Sequence, residues 1–287
     1  MNAFLNSRHQ VRNGWWILIF FAVLASMLIP LLVLTGGDVS IGAQAVIVAI
    51  ASCVCQLLRR RPVSEVTGRL DRHWPVQLLA GCAFGAALML IPAGFLRVLG
   101  SVRWEWSGVS LTSVAATIPL VLAVAATEEL LFRGFIFQRL IDGAGATLAQ
   151  LILAAYFLLT HAGGLATAGD VRYFASTNIF IASLLFGLSF LRTRSLALPL
   201  GLHFGANFTQ GSILGFGVSG TIETAALVPL RHGPDWMTGG KFGLEGSMPG
   251  LIAVAAATAI LYRWRRHRRP LRIIATSADR ELCDTSV

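Results

Sequence analysis

Two adjacent glutamates and two histidines stand in apolar surroundings, where polar and ionisable side chains are costly. Glu128 and Glu129 end a long apolar run, and His161 and His203 lie in two further apolar segments. An ionisable side chain within a membrane span marks a functional site by default, because its burial in lipid is expensive. A carboxylate and two imidazoles on three hydrophobic segments therefore predict a catalytic centre inside a membrane.

Helical spacing separates the roles of the two glutamates. Glu129 and Arg133 are four residues apart, so they share a helix face and can form an ion pair. Glu128 and Arg133 are five residues apart, which places them about 140° apart around the helix axis. Glu129 is thus predicted to be a structural ion-pair member, and Glu128 is predicted to be free to act as a general base.

The two histidines each have a partner at the same helical spacing. His203 and Asn207 share a face, and both can donate hydrogen bonds, so they are predicted to hold the oxyanion of a tetrahedral intermediate. Phe157 and His161 also share a face, and the Phe157 ring is predicted to fix the imidazole. His161 would then orient a water molecule against Glu128.

The composition of the chain is typical of a membrane protein. Hydrophobic residues make up 55% of the 287-residue chain and charged residues only 13%, against about 25% charged in a soluble protein. Eight apolar segments can be drawn, at residues 15–34, 40–58, 76–96, 109–140, 147–163, 177–191, 196–217 and 249–263. Backbone polar groups in lipid must be satisfied within each segment, so these segments are predicted to be helices.

The predicted fold class is therefore all-α, a polytopic membrane bundle of about eight transmembrane helices. The chain divides into the first three helices, a core with helices four to seven, a polar loop, and the last helix with a basic tail. These divisions are 1–108, 109–217, 218–248 and 249–287. The core is the part that carries the candidate catalytic residues.

The net charge of +9 reflects topology and not nucleic-acid binding. Arginines cluster at the ends of apolar runs, the pattern of cytoplasmic loops in membrane proteins. With eight spans, the basic loops and both termini fall on one side, and the 35–39, 164–176 and 218–248 loops fall on the other. We therefore expect a multi-pass membrane protein with both termini in the cytoplasm. Nearly all the basic residues are arginine, which is typical of GC-rich genomes, so we expect the membrane to be a bacterial cytoplasmic membrane.

The site is predicted to form in the cytoplasmic half of the membrane. Glu128 and His161 lie symmetrically about the turn at 142–145, so an antiparallel hairpin brings them to the same depth. His203 lies about eight residues into its span from the basic loop at 192–194, which is roughly 10–15 Å. Three helices can therefore direct their polar side chains to one point.

The order of the three motifs resembles that of a known family. Glu-Glu-x-x-x-Arg (Glu128, Glu129, Arg133), Phe-x-x-x-His (Phe157, His161) and His-x-x-x-Asn (His203, Asn207) are similar to the motifs of the CAAX-protease and bacteriocin-processing membrane proteins. These include the Rce1-type prenyl-protein endopeptidase and the bacterial Abi proteins.

The resemblance implies an intramembrane endopeptidase, a hydrolase, with an eight-helix bundle. It implies that Glu128 activates water with His161, that His203 and Asn207 form the oxyanion site, and that the substrate is a membrane-associated peptide or protein. Glu129, Arg133 and Phe157 would support the site. We expect no cofactor, and the open alternative is a zinc ion held by Glu128, His161 and His203, a ligand set that suits zinc.

Two other functions stay open from the residues alone. In the first, the protein is a non-catalytic membrane interaction or bacteriocin-immunity factor, and the motifs brace the bundle. In the second, Glu128 carries protons in a coupled transporter, although the sequence shows no inverted repeat with paired broken helices. Comparison of wild type with Glu128→Gln separates these functions from proteolysis.

Overall fold

The computed structural model describes residue 4, residues 11–221 and residues 224–264, and most of this part is helical. The α-helices in chain order are α1 (Asn13–Leu34), α2 (Ile41–Leu58), α3 (Ser64–Thr67), α4 (His73–Val98), α5 (Leu111–Ala115), α6 (Ile118–Glu129), α7 (Phe135–Ala144), α8 (Ala146–Thr160), α9 (Ala162–Ala166), α10 (Arg172–Thr193), α11 (Ala197–Asn207), α12 (Asp235–Thr238) and α13 (Met248–Arg263). Between them lie π-helical turns (Leu130–Gly134 and Phe208–Ile213), 3-10 turns (Gly169–Val171, Gly240–Phe242 and Leu244–Gly246) and strands β1 (Val102–Trp106) and β2 (Leu227–Arg231). The predicted all-α class is confirmed.

Several of these helices are long and apolar enough to cross a membrane. Within the described residues there are five such stretches: Asn13–Leu34, Ile41–Leu58, His73–Val98, Leu111–Ala144 and Gly169–Thr193. Two predicted segments are the shorter apolar helices α8 and α13, and the segment 196–217 is α11 with its π-turn. Many large apolar side chains on these helices are exposed, as a lipid-facing surface requires. The chain is a multi-pass membrane protein.

Glycines bring α4 and α11 into close contact. They recur four residues apart on both helices, at Gly81 and Gly85 and at Gly201 and Gly205. A Cβ added to Gly85 would collide with the backbone of α11, and one added to Gly205 would collide with the backbone of α4. Small residues at this spacing let membrane helices approach closely. The helix that carries His203 is thereby held against α4.

The long apolar segment 109–140, which the sequence predicts as one helix, is interrupted. α5 and α6 are separate helices, and after Glu129 the chain widens into a π-turn before α7 begins. A second π-turn begins directly after Asn207. Such turns are frequent at functional sites. Both interruptions therefore adjoin the residues that the motifs single out.

A small antiparallel sheet joins two predicted loops. β1 comes from the connection between the third and fourth apolar segments and β2 from the 218–248 loop, and Val102 pairs with Arg231 at one end of the ladder. The Ser107 N–H donates to the carbonyl of Ala226 just beyond the strands. The apolar pattern predicts neither strand, because each has only five residues within a polar connection.

The helix ends form two surfaces of different character. At one, here called the basic end, side chains from separate segments surround one small pocket, including Arg59, Arg139, Asp142 and Arg194. At the other, here called the sheet end, β1 and β2 form their sheet, and Trp104 and Ser107 donate hydrogen bonds to the carbonyls of Leu214 and Ala226. The basic tail that the sequence places near the first surface lies outside the described residues.

Candidate active site

The four residues predicted to be catalytic line one cavity of about 730 Å³. Glu128 comes from the last turn of α6, His161 from the C-terminal cap of α8, and His203 and Asn207 from α11. Most of the remaining lining is apolar and includes Leu88, Leu120, Val124, Ile179 and Phe186. Residues that are far apart in the sequence therefore meet in one largely apolar space.

Glu129 and Arg133 form the ion pair that their spacing predicts. Arg133 Nη1 lies 3.2 Å from Glu129 Oε1, and both side chains are almost fully buried. Arg133 Nη2 donates to the carbonyl and the hydroxyl of Ser183 at 2.9 and 2.8 Å. The guanidinium also stands 5.0 Å from the ring centre of Phe157 and 5.1 Å from that of Phe186. α6 and α10 are thus tied together directly behind the cavity.

His203 lies between the two glutamates, a contact that sequence reasoning missed. Its Nδ1 is 2.9 Å from Glu129 Oε1, and its Nε2 is 3.7 Å from Glu128 Oε2. A carboxylate oxygen accepts, so Nδ1 donates to Glu129. The imidazole also stacks on Phe186, with ring centres 4.8 Å apart. The ring is therefore fixed with Nε2 beside Glu128.

His161 has a defined tautomer. Its Nδ1 lies 2.7 Å from the carbonyl oxygen of Phe157, which can only accept, so Nδ1 carries the proton. In the neutral ring Nε2 is then an acceptor. The Phe157 ring packs against the imidazole, with centroids 4.6 Å apart, as the shared face predicts. His161 can accept a hydrogen bond from a water molecule in the cavity.

Glu128 is more exposed than Glu129 and has fewer polar contacts. A quarter of its side chain is exposed, whereas Glu129 is almost fully buried. Its Oε2 is buried and accepts no hydrogen bond from the described residues. Asn207, one turn beyond His203, likewise makes no side-chain hydrogen bond within that part of the chain. Polar atoms of both residues can therefore contact a molecule in the cavity.

The core of the chain matches a known protein family. Residues 109–209 match the family described as type II CAAX prenyl endopeptidase Rce1-like. This segment is similar to that family and is called the Rce1-like domain below. The family suggested by the three motifs is confirmed, and all seven motif residues fall within the match. A search among curated proteins found no significant match.

The match at residues 109–209 points to a class of enzymes. The family consists of CAAX-type intramembrane proteases, which are hydrolases of membrane-embedded protein substrates, so the match supports this class at the level of the family. The lipid environment predicted from the composition agrees with this assignment.

Three cavity residues were not singled out in the sequence. Asn178 of α10 belongs to the Rce1-like domain, and its buried Nδ2 has no hydrogen-bond partner among the described residues. Ser219 and Glu245 lie beyond the domain, in the predicted polar loop, and line the same cavity. The Ser219 N–H and hydroxyl both donate to Glu245 Oε2, at 2.9 and 3.0 Å. The loop has no helical pattern, so the sequence did not indicate that these two residues contact the cavity.

The cavity of the Rce1-like domain lies at the sheet end, so the expected position beside the basic loops is wrong. Thr221 and Glu245, which come from the same polar loop as β2, line it, and His161 caps α8 at the same end. The hairpin tip at 142–145 is about 16 residues away along each helix, which is about 24 Å. The symmetry of Glu128 and His161 about the hairpin tip therefore predicted that they lie at equal depth. It did not predict at which end of the bundle they lie.

The residues named as possible zinc ligands do not form a metal site. Zinc requires three or four His, Cys, Asp or Glu side chains converging on one point. The described residues contain no such group of three. His203 Nδ1 is occupied by Glu129, and its Nε2 faces Glu128. The cavity geometry thus does not fit a zinc ion held by Glu128, His161 and His203.

Glu245→Gln is expected to change how stability depends on pH. Burial raises the pKa of the Glu245 carboxyl, while the neighbouring His161 and the Ser219 hydrogen bonds oppose the shift. The folded protein then binds this proton more tightly than the unfolded chain, so the free energy of unfolding falls as pH rises from the ordinary Glu range through the raised value. Glutamine keeps an acceptor for Ser219 and does not ionise.

Thermal unfolding in detergent measures this effect. Glu245→Gln should be more stable than wild type at about pH 8, and the difference should vanish near pH 4, close to the ordinary Glu pKa. Glu105→Gln, at an exposed position on β1, is the matched control and should show no such trend. A stability difference that is the same at both pH values would contradict this account of Glu245.

Proposed function

We propose that the protein is a glutamate-dependent intramembrane endopeptidase in which Glu128 activates water. The observation that carries the proposal is the meeting of Glu128, His161, His203 and Asn207 in one cavity. The Glu128 carboxylate accepts a proton from a water molecule, and His161 Nε2 accepts the second hydrogen bond of that water. The resulting hydroxide attacks the carbonyl carbon of the scissile peptide bond. The proton held by Glu128 then passes to the leaving amine.

His203 and Asn207 are proposed to stabilise the tetrahedral intermediate. His203 Nε2 stands near Glu128. A substrate carbonyl can therefore place its oxygen beside the histidine while its carbon meets the attacking hydroxide. With Nδ1 held by Glu129, an imidazolium donates from Nε2 to the oxyanion, and the Asn207 amide donates a second hydrogen bond. Donors fixed in advance around a developing negative charge supply much of the catalytic power in acyl transfer.

Glu129 and Arg133 are proposed to position these groups. Glu129 orients the His203 ring through Nδ1, and Arg133 neutralises the buried carboxylate. Phe157 places both the imidazole of His161 and, through its carbonyl, the proton on that ring. The motif residues thus divide into groups that face the cavity and groups that hold them.

The direct test is reconstitution of wild type and Glu128→Gln in lipid vesicles with membrane-anchored candidate peptides. Cleavage by wild type, and its loss in the variant, would support the proposal. Cleavage that persists in Glu128→Gln would overturn it. Glu105→Gln serves as the control for the same chemical change away from the cavity.

Asn207→Ala is expected to lower kcat more than it raises KM. An oxyanion donor acts mainly in the transition state, so its loss costs a factor of about 100 to 1,000 in turnover with little effect on substrate binding. His203→Ala should do the same and should also lower stability, because Glu129 then loses its hydrogen bond. Steady-state kinetics in detergent or vesicles separates kcat from KM. A pure rise in KM for Asn207→Ala would assign the amide to substrate binding instead.

Chelation is expected to leave activity intact. In the proposed mechanism the nucleophile is a water molecule held by Glu128 and His161, so no metal-bound hydroxide is needed. Incubation of the purified protein with a strong zinc chelator, followed by the cleavage assay, measures the effect. Loss of activity on chelation with recovery on added zinc would show instead that a metal lowers the pKa of the nucleophilic water.

A further inference from the structure

The described charges divide unevenly between the two ends of the bundle. Arginine dominates the basic end, at residues 59–61, Arg69, Arg72, Arg192, Arg194 and Arg263. The acidic side chains there are Glu65, Asp71 and Asp142. At the sheet end, Arg97, Arg103, Arg172, Arg231 and Lys241 stand with Asp38, Glu105, Asp170, Asp235 and Glu245, so the charges balance.

Contacts between distant segments support this division into ends. At the basic end, Arg139 reaches Asn13 at the start of α1, and the Leu196 N–H donates to the carbonyl of Thr67. At the sheet end, the Trp104 indole N–H donates to the carbonyl of Leu214 at 2.9 Å. Each membrane helix therefore runs from one charge environment to the other.

The short connections between membrane helices are the segments whose Lys and Arg content sets orientation, with the basic side in the cytoplasm. The cavity lies at the opposite end, where Ser219, Thr221 and Glu245 line it. We propose that the active site faces the extracytoplasmic side of the membrane. Resting on the proposed function, this assigns as substrate a membrane-associated polypeptide whose scissile bond lies on that side.

The cavity also restricts the chemistry of that segment. A volume of about 730 Å³ is within the range of about 300–1,000 Å³ for ligand pockets, so it admits a short extended stretch of chain and not a folded domain. Most of its lining is apolar, and the titratable groups among its described lining residues are Glu128, His161, His203 and Glu245, without a lysine or arginine. An acidic residue or a free carboxylate beside the scissile bond would find no lysine or arginine to pair with and would face two carboxylates, Glu128 and Glu245. The substrate segment is apolar with neutral or basic flanks.

Cysteine labelling tests the orientation without reference to activity. In a background whose native cysteines are replaced by serine, Thr221→Cys marks the cavity mouth, and Asp38→Cys marks the sheet end outside the cavity. Arg69→Cys marks the basic end. In spheroplasts a membrane-impermeant maleimide should label Thr221→Cys and Asp38→Cys, and it should label Arg69→Cys only after permeabilisation. The reverse pattern would overturn the proposal.

The substrate class is tested by comparing new polypeptide termini in membranes from cells that make wild type or Glu128→Gln. Termini that depend on Glu128, map to the extracytoplasmic side and lack neighbouring Asp or Glu would support the proposal. Termini on the cytoplasmic side would overturn it. If labelling places the cavity outside and no terminus depends on Glu128, the proteolytic function fails and the substrate assignment fails with it, while the orientation of the cavity stands.

Discussion

Glu128→Gln should abolish detectable cleavage while the protein still inserts and folds. Loss of a general base typically costs a factor of about 100 to 10,000 in rate. Glutamine has nearly the same shape but cannot take a proton from water, so the water molecule stays a poor nucleophile. Because Glu128 Oε2 accepts no hydrogen bond from the described residues and a quarter of the side chain is exposed, the exchange should change stability little.

The measurement pairs a cleavage assay with thermal unfolding of the same preparations. Glu128→Gln should unfold within a few degrees of wild type, since Glu128 Oε2 accepts no hydrogen bond from the described residues and glutamine keeps the shape of the side chain. Glu105→Gln should match wild type in both assays. If Glu128→Gln loses stability as well as activity, the carboxylate is a structural member of the site and the proposed division between the glutamates is wrong.

The helical periodicity of the sequence predicted contacts within one helix but not contacts between helices. The Glu129–Arg133 pair and the Phe157–His161 contact both join residues four apart, and both are present. The hydrogen bond from His203 to Glu129 joins α11 to α6, residues 74 apart in the chain, so its formation depends on how the helices pack. The glycine contacts between α4 and α11 set that packing, and the spacing of the polar motif residues carries no information about them.

The hydropathy pattern also did not predict the end of the bundle at which the site opens. An apolar run gives the extent of a helix, but it does not show which loop folds back over the helix ends. The 218–248 loop is polar and rich in glycine, and it nevertheless places Ser219 and Glu245 against the cavity. Backbone turns and two short strands hold it there, features that leave little trace in hydropathy.

Removal of either member of the Glu129–Arg133 pair should be strongly destabilising. Both side chains are almost fully buried, and Arg133 is enclosed by Phe157 and Phe186. Breaking a buried ion pair leaves one uncompensated charge, which typically costs about 3 to 5 kcal/mol. Glu129→Gln and Arg133→Met should therefore both lower the free energy of unfolding, in contrast to Glu128→Gln.

The double variant Glu129→Gln/Arg133→Met distinguishes loss of charge balance from loss of packing. With both charges removed, no buried ion is left unpaired, so the double variant should be less destabilised than the sum of the single variants, with a coupling of about 0.5 to 3 kcal/mol for residues in contact. Denaturant unfolding of the four proteins in one detergent measures this cycle. Strict additivity would mean that the pair does not stabilise the fold through its charges. Activity should not recover in the double variant, because His203 still lacks the negative charge that stabilises its imidazolium, and this separates the support of the fold from the support of the catalytic histidine.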